Sequence, residues 1–159
     1  MKLNYLCIVL LLGLCILFGC NKNSDDSSNI PITQVTFVDK GAVVPDPIST
    51  TVIIKSDSIE YLSTQSGNII NQWSKQIQSS EFNSVQQLID NYNLFYSDDI
   101  TLGNGQSPCE GWQGMTITMD GTDSSHTINI MGDVCAREQW SEGVHALVDL
   151  KDELVTKYQ

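Results

Sequence analysis

Two short runs of alternating residues constrain the fold more than anything else in this chain. Met115, Ile117 and Met119 are separated by Thr116 and Thr118, and beyond a polar gap Ile128 and Ile130 are flanked by Thr127 and Asn129. A period of two over this length describes half-buried strands, and the Asp120-Gly121 dipeptide between them is a hairpin turn signal. Both apolar sets face one core if Asp120 pairs with Asp123 around Gly121-Thr122, because a slip of one residue would turn one set to solvent. That register brings Cys109 opposite Val134, one step from Cys135. A bulge at Gly111, Gly114 or Gly132 absorbs the difference, so a Cys109–Cys135 disulfide is expected to staple the hairpin. In the chain-entropy account such a bridge contributes roughly 3 to 4 kcal/mol, a large share of a small domain's net stability.

The start of the chain sets the compartment. Lys2 is followed by the apolar run YLCIVLLLGLCILF, residues 5–18, which is too short to span a bilayer and reads as the core of a signal peptide. Leu17-Phe18-Gly19-Cys20 resembles the lipobox of bacterial lipoproteins, in which the cysteine is acylated, with chains such as palmitate, before cleavage. The resemblance implies a leader over residues 1–19, lipidation at Cys20 and a membrane partner reached through the N-terminal lipid. Asn21 after the acylated cysteine further implies the outer membrane if the host is Gram-negative. Residues 20–31 then read as a polar tether, and residues 32–159 as a single domain outside the cytoplasm.

Cys7 and Cys15 leave with the leader and Cys20 carries lipid, which leaves Cys109 and Cys135 for one bridge in an oxidising compartment. A zinc site formed by these two with His126 and His145 lacks metal-ligand spacing, so no metal and no cofactor is expected. The formal charge is −11. Such a balance opposes nucleic acid and anionic lipid headgroups as partners and favours a soluble, tethered domain.

Along the domain, residues 32–38 form a first strand, and Pro45-Asp46-Pro47 interrupts the chain. A three-stranded meander follows over residues 50–76, its turns at Ser56-Asp57-Ser58 and Ser66-Gly67-Asn68, with Trp73 sealing the edge of a core. Ser84-x-x-Gln87 has the form of a capping box opening a helix of about ten residues, with Val85, Leu88, Ile89 and Tyr92 on one stripe. Residues 93–108 are expected to be a loop held down by its aromatic residues. Ser141 caps the strongest helix, whose stripe is Val144, Leu147, Val148, Leu154, Val155 and Tyr158, with Glu153 and Lys157 as an i,i+4 pair. The fold class is α+β: an antiparallel sheet of about five to six strands, both helices on one face, and one disulfide-linked hairpin.

No nucleophile elbow and no phosphate-binding loop is present, and neither histidine is expected to be catalytic. His126 is expected at the core rim and His145 in solvent. Cys109-Glu110-Gly111-Trp112 and Trp140-Ser141-Glu142-Gly143 resemble small uncharacterised bacterial lipoproteins of β-rich α+β type that end in a hairpin and a helix; this implies a fold, with no activity attached. The chain is therefore expected to be a non-enzymatic, lipid-anchored envelope protein that binds a partner protein or a small ligand. Its candidate binding residues are Phe95 and Asn104 in the long loop and Trp112 and Trp140 on the rim. Inhibition of a secreted protease by the stapled hairpin is the alternative, and a carboxylate-dependent hydrolase a more distant one.

Overall fold

The computed structural model describes residues 30–41, 45–101, 114–131 and 140–159. Cys20, Asn104, Cys109, Trp112 and Cys135, and with them the leader, the lipidation site and the disulfide, lie outside the described residues. The elements are β1 (Ile32–Asp39), β2 (Ile48–Lys55), β3 (Ser58–Gln65), β4 (Asn68–Gln76), α1 (Ser79–Asn91), a 3-10 turn (Leu94–Tyr96), β5 (Ile100–Thr101), β6 (Met115–Gly121), β7 (Ser125–Met131) and α2 (Glu142–Tyr158). The protein is α+β, and no helix among the described residues is long and apolar enough to cross a membrane.

The strands form one sheet in the order β4-β3-β2-β1-β6-β7-β5. Among the described residues it has seven strands and is mixed, in place of the expected antiparallel sheet of five or six: β5 runs parallel to β7, Ile100 facing Ile130 and Thr101 facing Met131. Two residues carry no periodicity, so this strand is set by its surroundings. Leu94 and Phe95 are buried and pin the preceding turn, and Asp99 accepts from the backbone N–H of Asn129 at 2.7 Å, fixing the segment along β7.

Pairing aligns side chains in rows across the inner face. Trp73, Tyr61, Val52, Phe37, Ile117 and Ile128 form one row, and Ile59, Ile54, Val35, Met119 and His126 the next. The aliphatic members and Phe37 are buried, each worth roughly 1.5 to 3 kcal/mol of transfer free energy. On the opposite face Thr36, Thr51, Ile53, Leu62, Thr118 and Thr127 all keep part of their surface in solvent.

Both helices cover the inner rows and run antiparallel to each other: Glu81 of α1 meets Lys157 and Tyr158 of α2, and Tyr92 meets Glu142. Helix α1 starts at Ser79 and is capped by Gln78, six residues before the expected cap Ser84, because the working capping pair is Gln78 with Glu81, whose carboxylate accepts from Gln78 N–H at 2.7 Å. Phe82, buried in the first turn, anchors this extension. Ser84 instead donates its hydroxyl to Ser80 O at 3.1 Å. Helix α2 begins as its sequence indicates, with Ser141 Oγ accepting from Val144 N–H. Lys157 reaches Glu81 rather than the expected Glu153.

In the β6–β7 hairpin Asp120 faces Ser125 and Met115 faces Ile130, two residues away from the expected register. The slip preserves every side chain's face, since the period is two. Gly121 acts as a strand residue whose N–H donates to Ser124 O at 2.8 Å, and Thr122-Asp123 form the loop. A Cβ on Gly121 would lie 2.6 Å from Ile30 Cγ2, so glycine serves close approach of the segment leading into β1 and not the turn.

Candidate functional site

One end of the inner face is open between α2 and the meander. Asp39 closes β1 opposite both Thr50 and Met115, and one row inward Phe37 lies between Val52 and Ile117, with Tyr61 beyond Val52. Lys151, Asp152 and Val155 of α2 lie over these residues and border a half-open cleft of about 240 Å³. Phe37, Val52, Tyr61, Met115 and Val155 make the apolar part, and Asp39, Thr50, Lys151 and Asp152 bring polar groups to it.

Lys151 is the unusual member. Its side chain is only 12% exposed, and its ammonium lies 2.6 Å from Asp152 Oδ1 and 5.9 Å from the centre of the Phe37 ring. With most of its side chain covered, the ammonium has a half-exposed carboxylate and an electron-rich ring face as neighbours, which offset lost hydration. Tyr61 forms the far wall and is itself backed by Trp73, the rings stacked at 5.2 Å and 5°. The cleft is thus lined by two carboxylates, an ammonium, a hydroxyl and an aromatic wall, around a space smaller than most ligand pockets.

Of the residues expected to bind, Asn104 and Trp112 lie outside the described residues, and Phe95 and Trp140 do not line this cleft. Phe95 is 9% and Trp140 6% exposed, so both are core side chains with little aromatic surface to offer a partner. Phe95 packs 5.7 Å from the His126 ring, and Trp140 6.2 Å from the His145 ring. Each histidine is engaged locally. His126 Nε2 lies 2.7 Å from Ser97 O at the core rim, and His145 Nδ1 lies 2.9 Å from Asp149 Oδ2 one turn along α2. Among the described residues no three His, Cys, Asp or Glu side chains are placed to hold a metal ion.

Of the cleft residues, Lys151 alone carried a signal in the sequence. Lys151 sits three residues after Val148 and four before Val155, on the apolar stripe of α2, where a charge is anomalous and informative. No protein-family model matches the chain, and a comparison with characterised proteins found no match.

Proposed function

We propose that this chain is a lipid-anchored cell-envelope protein whose extracytoplasmic domain binds a small ligand in the cleft beneath α2, without catalysing its conversion. The lipobox-like Leu17-Phe18-Gly19-Cys20 supports the anchor. The observation that carries the binding role is Lys151, held almost out of solvent over Phe37 at a cavity walled by Tyr61 and Val52. A ligand suited to this cleft has hydrogen-bonding groups for Asp39, Thr50 and Asp152 at one end and a ring or short apolar body for Val52 and Tyr61 at the other.

Two measurements test the reading. A thermal-shift screen of small metabolites on the full chain in detergent is expected to find a compound that raises the melting temperature of the wild type but not of Val52→Trp, which fills the cavity. Equal stabilisation of both proteins removes the cleft from consideration. Metabolic labelling with a palmitate analogue is expected to mark the wild type and not Cys20→Ser, and absence of label from the wild type overturns the anchor.

A further inference from the structure

The sheet has two edges, and they are unlike. One is β5, two residues long; the other is β4, nine residues from Asn68 to Gln76, one side of whose backbone has no strand beside it among the described residues. Long edges of this kind pair with other chains unless proline, charge, a bulge or a covering element prevents it. No proline occurs between Pro47 and Pro108. Lys75 guards one end of β4, and a bulge opposite Ser63 and Thr64 disturbs the other. Between them Asn71-Gln72-Trp73-Ser74 is regular, uncharged strand.

The bulge also leaves two isoleucines in solvent, Ile69 at 62% and Ile70 at 53% exposure. Exposed aliphatic side chains beside unpaired backbone are what a pairing strand uses. Charge selects the partner. The chain carries 19 acids against 8 bases, so most of its surface repels another copy. From Tyr61 to Ser80 there is no acid and one base, Lys75. Strand β4 is therefore the part of the surface on which two copies of this acidic chain repel each other least.

We infer that β4 is a self-association edge: two copies of this chain pair their β4 strands antiparallel about a two-fold axis, joining two seven-stranded sheets into one. The antiparallel arrangement is isologous and closes at a dimer, because among the described residues each sheet has one such edge. It sets the Lys75 end of each strand against the uncharged Asn68 end of its partner, so the two ammonium groups lie at opposite ends of the contact. Strand β4 touches the cleft through Trp73 behind Tyr61, but pairing uses its outer backbone, so either proposal can fail without the other.

Native mass spectrometry of the full chain released from detergent tests the inference, with hydrogen exchange as a second measurement. The wild type is expected to give a dimer whose share grows with protein concentration and with salt, as screening weakens repulsion between the acidic bodies. Slowed exchange is expected at alternate β4 amides under the same conditions. Gln72→Pro removes a backbone donor at mid-strand, and Ile70→Lys puts a second charge on an already solvated side chain; both are expected to be monomeric. If Gln72→Pro fails to fold, Ile70→Lys decides alone. A wild type that stays monomeric at high micromolar concentration, or a dimer that persists in folded Ile70→Lys, overturns the inference.

Discussion

Glu81 and Lys157, near opposite ends of the described C-terminal half of the chain, meet with Nζ 2.7 Å from Oε1. Tyr158 donates its hydroxyl to Oε2 at 2.7 Å, and Gln78 N–H donates to the same oxygen. One carboxylate thus caps α1 and clamps it to the last turn of α2. Glu81 is 14% exposed at the side chain. Burial alone would raise its pKa, but the bonds from Lys157, Tyr158 and Gln78 outweigh it, leaving the carboxyl below the ordinary glutamate value.

A depressed carboxylate contributes stability that is present above its unfolded-state pKa and lost as pH falls through the folded value. The Glu81 hydrogen bond raises Lys157, and the same carboxylate raises Tyr158; their contributions are full below their ordinary pKa values and fade as pH rises through the raised ones. The clamp therefore weakens at both extremes. Urea midpoints measured across pH are expected to show an acid limb in the wild type that is shallower in Glu81→Gln. At neutral pH Glu81→Ala is expected to cost about 1 kcal/mol, the size of a lost helix cap. Lys157→Ala is expected to cost less, because that side chain is 55% exposed and water screens the pair.

Where the other ends of the helices meet, Gly143 in the first turn of α2 packs on Tyr92. A Cβ there would lie 2.4 Å from Tyr92 Cβ and 2.6 Å from its Cγ, atoms too near the backbone to swing away. Helix propensity alone would favour alanine by about 1 kcal/mol. Steric overlap should reverse the sign: Gly143→Ala is expected to destabilise by about 1 to 3 kcal/mol, the usual range for overpacking. A thermal melt higher than wild type would show that the helices separate freely at this point.

Gln86 behaves as an extra peptide unit. Its Oε1 accepts from Ile32 N–H at 2.7 Å and its Nε2 donates to Ile30 O at 3.1 Å, satisfying the backbone where the chain enters β1. Gln86→Leu would strand that donor and acceptor, at an expected cost of about 1 to 3 kcal/mol. Gln86→Glu keeps the acceptor but turns a second oxygen toward Ile30 O and toward Asp90, which now receives a bond from Nε2 at 2.9 Å. Chemical denaturation of both variants is expected to rank them together, well below the wild type.

These contacts also show where sequence reasoning stops. The alternation of Met115, Ile117 and Met119 with Ile128 and Ile130 determined which face of the hairpin is buried, and the structure keeps it. Parity carries no phase, however, and the phase follows from Ile30 lying over Gly121, contributed by a segment far away in the chain. The meander and α2 were legible because their turns and Ser141 cap are local. The start of α1 was not: glutamine is a poor cap, and Glu81 is effective there in part because Lys157 and Tyr158 complete it. The cleft was hidden for the same reason, since Asp39, Thr50 and Lys151 come from three elements and meet only once strand order is known.

The stacked pair Tyr61 and Trp73 allows a separation of packing from hydrogen bonding. Trp73 Nε1 is enclosed and has no hydrogen-bond partner among the described residues, so the indole contributes its ring face while its buried donor costs free energy. An unmet buried donor costs about 1 to 3 kcal/mol, whereas a stacked aromatic pair contributes about 0.5 to 1.5 kcal/mol beyond its area. Trp73→Phe keeps a ring opposite Tyr61 and deletes the donor; the two changes oppose each other, and the variant is expected within about 1 kcal/mol of wild type. Trp73→Leu loses the stack as well and should be clearly less stable. Equilibrium unfolding of Tyr61→Leu, Trp73→Leu and the double variant is expected to give a coupling energy of about 0.5 to 1.5 kcal/mol. A coupling near zero would mean that the two rings lie parallel because strand register places them so, and that Tyr61 is held at the cleft by Val52 and the rest of its row without help from Trp73.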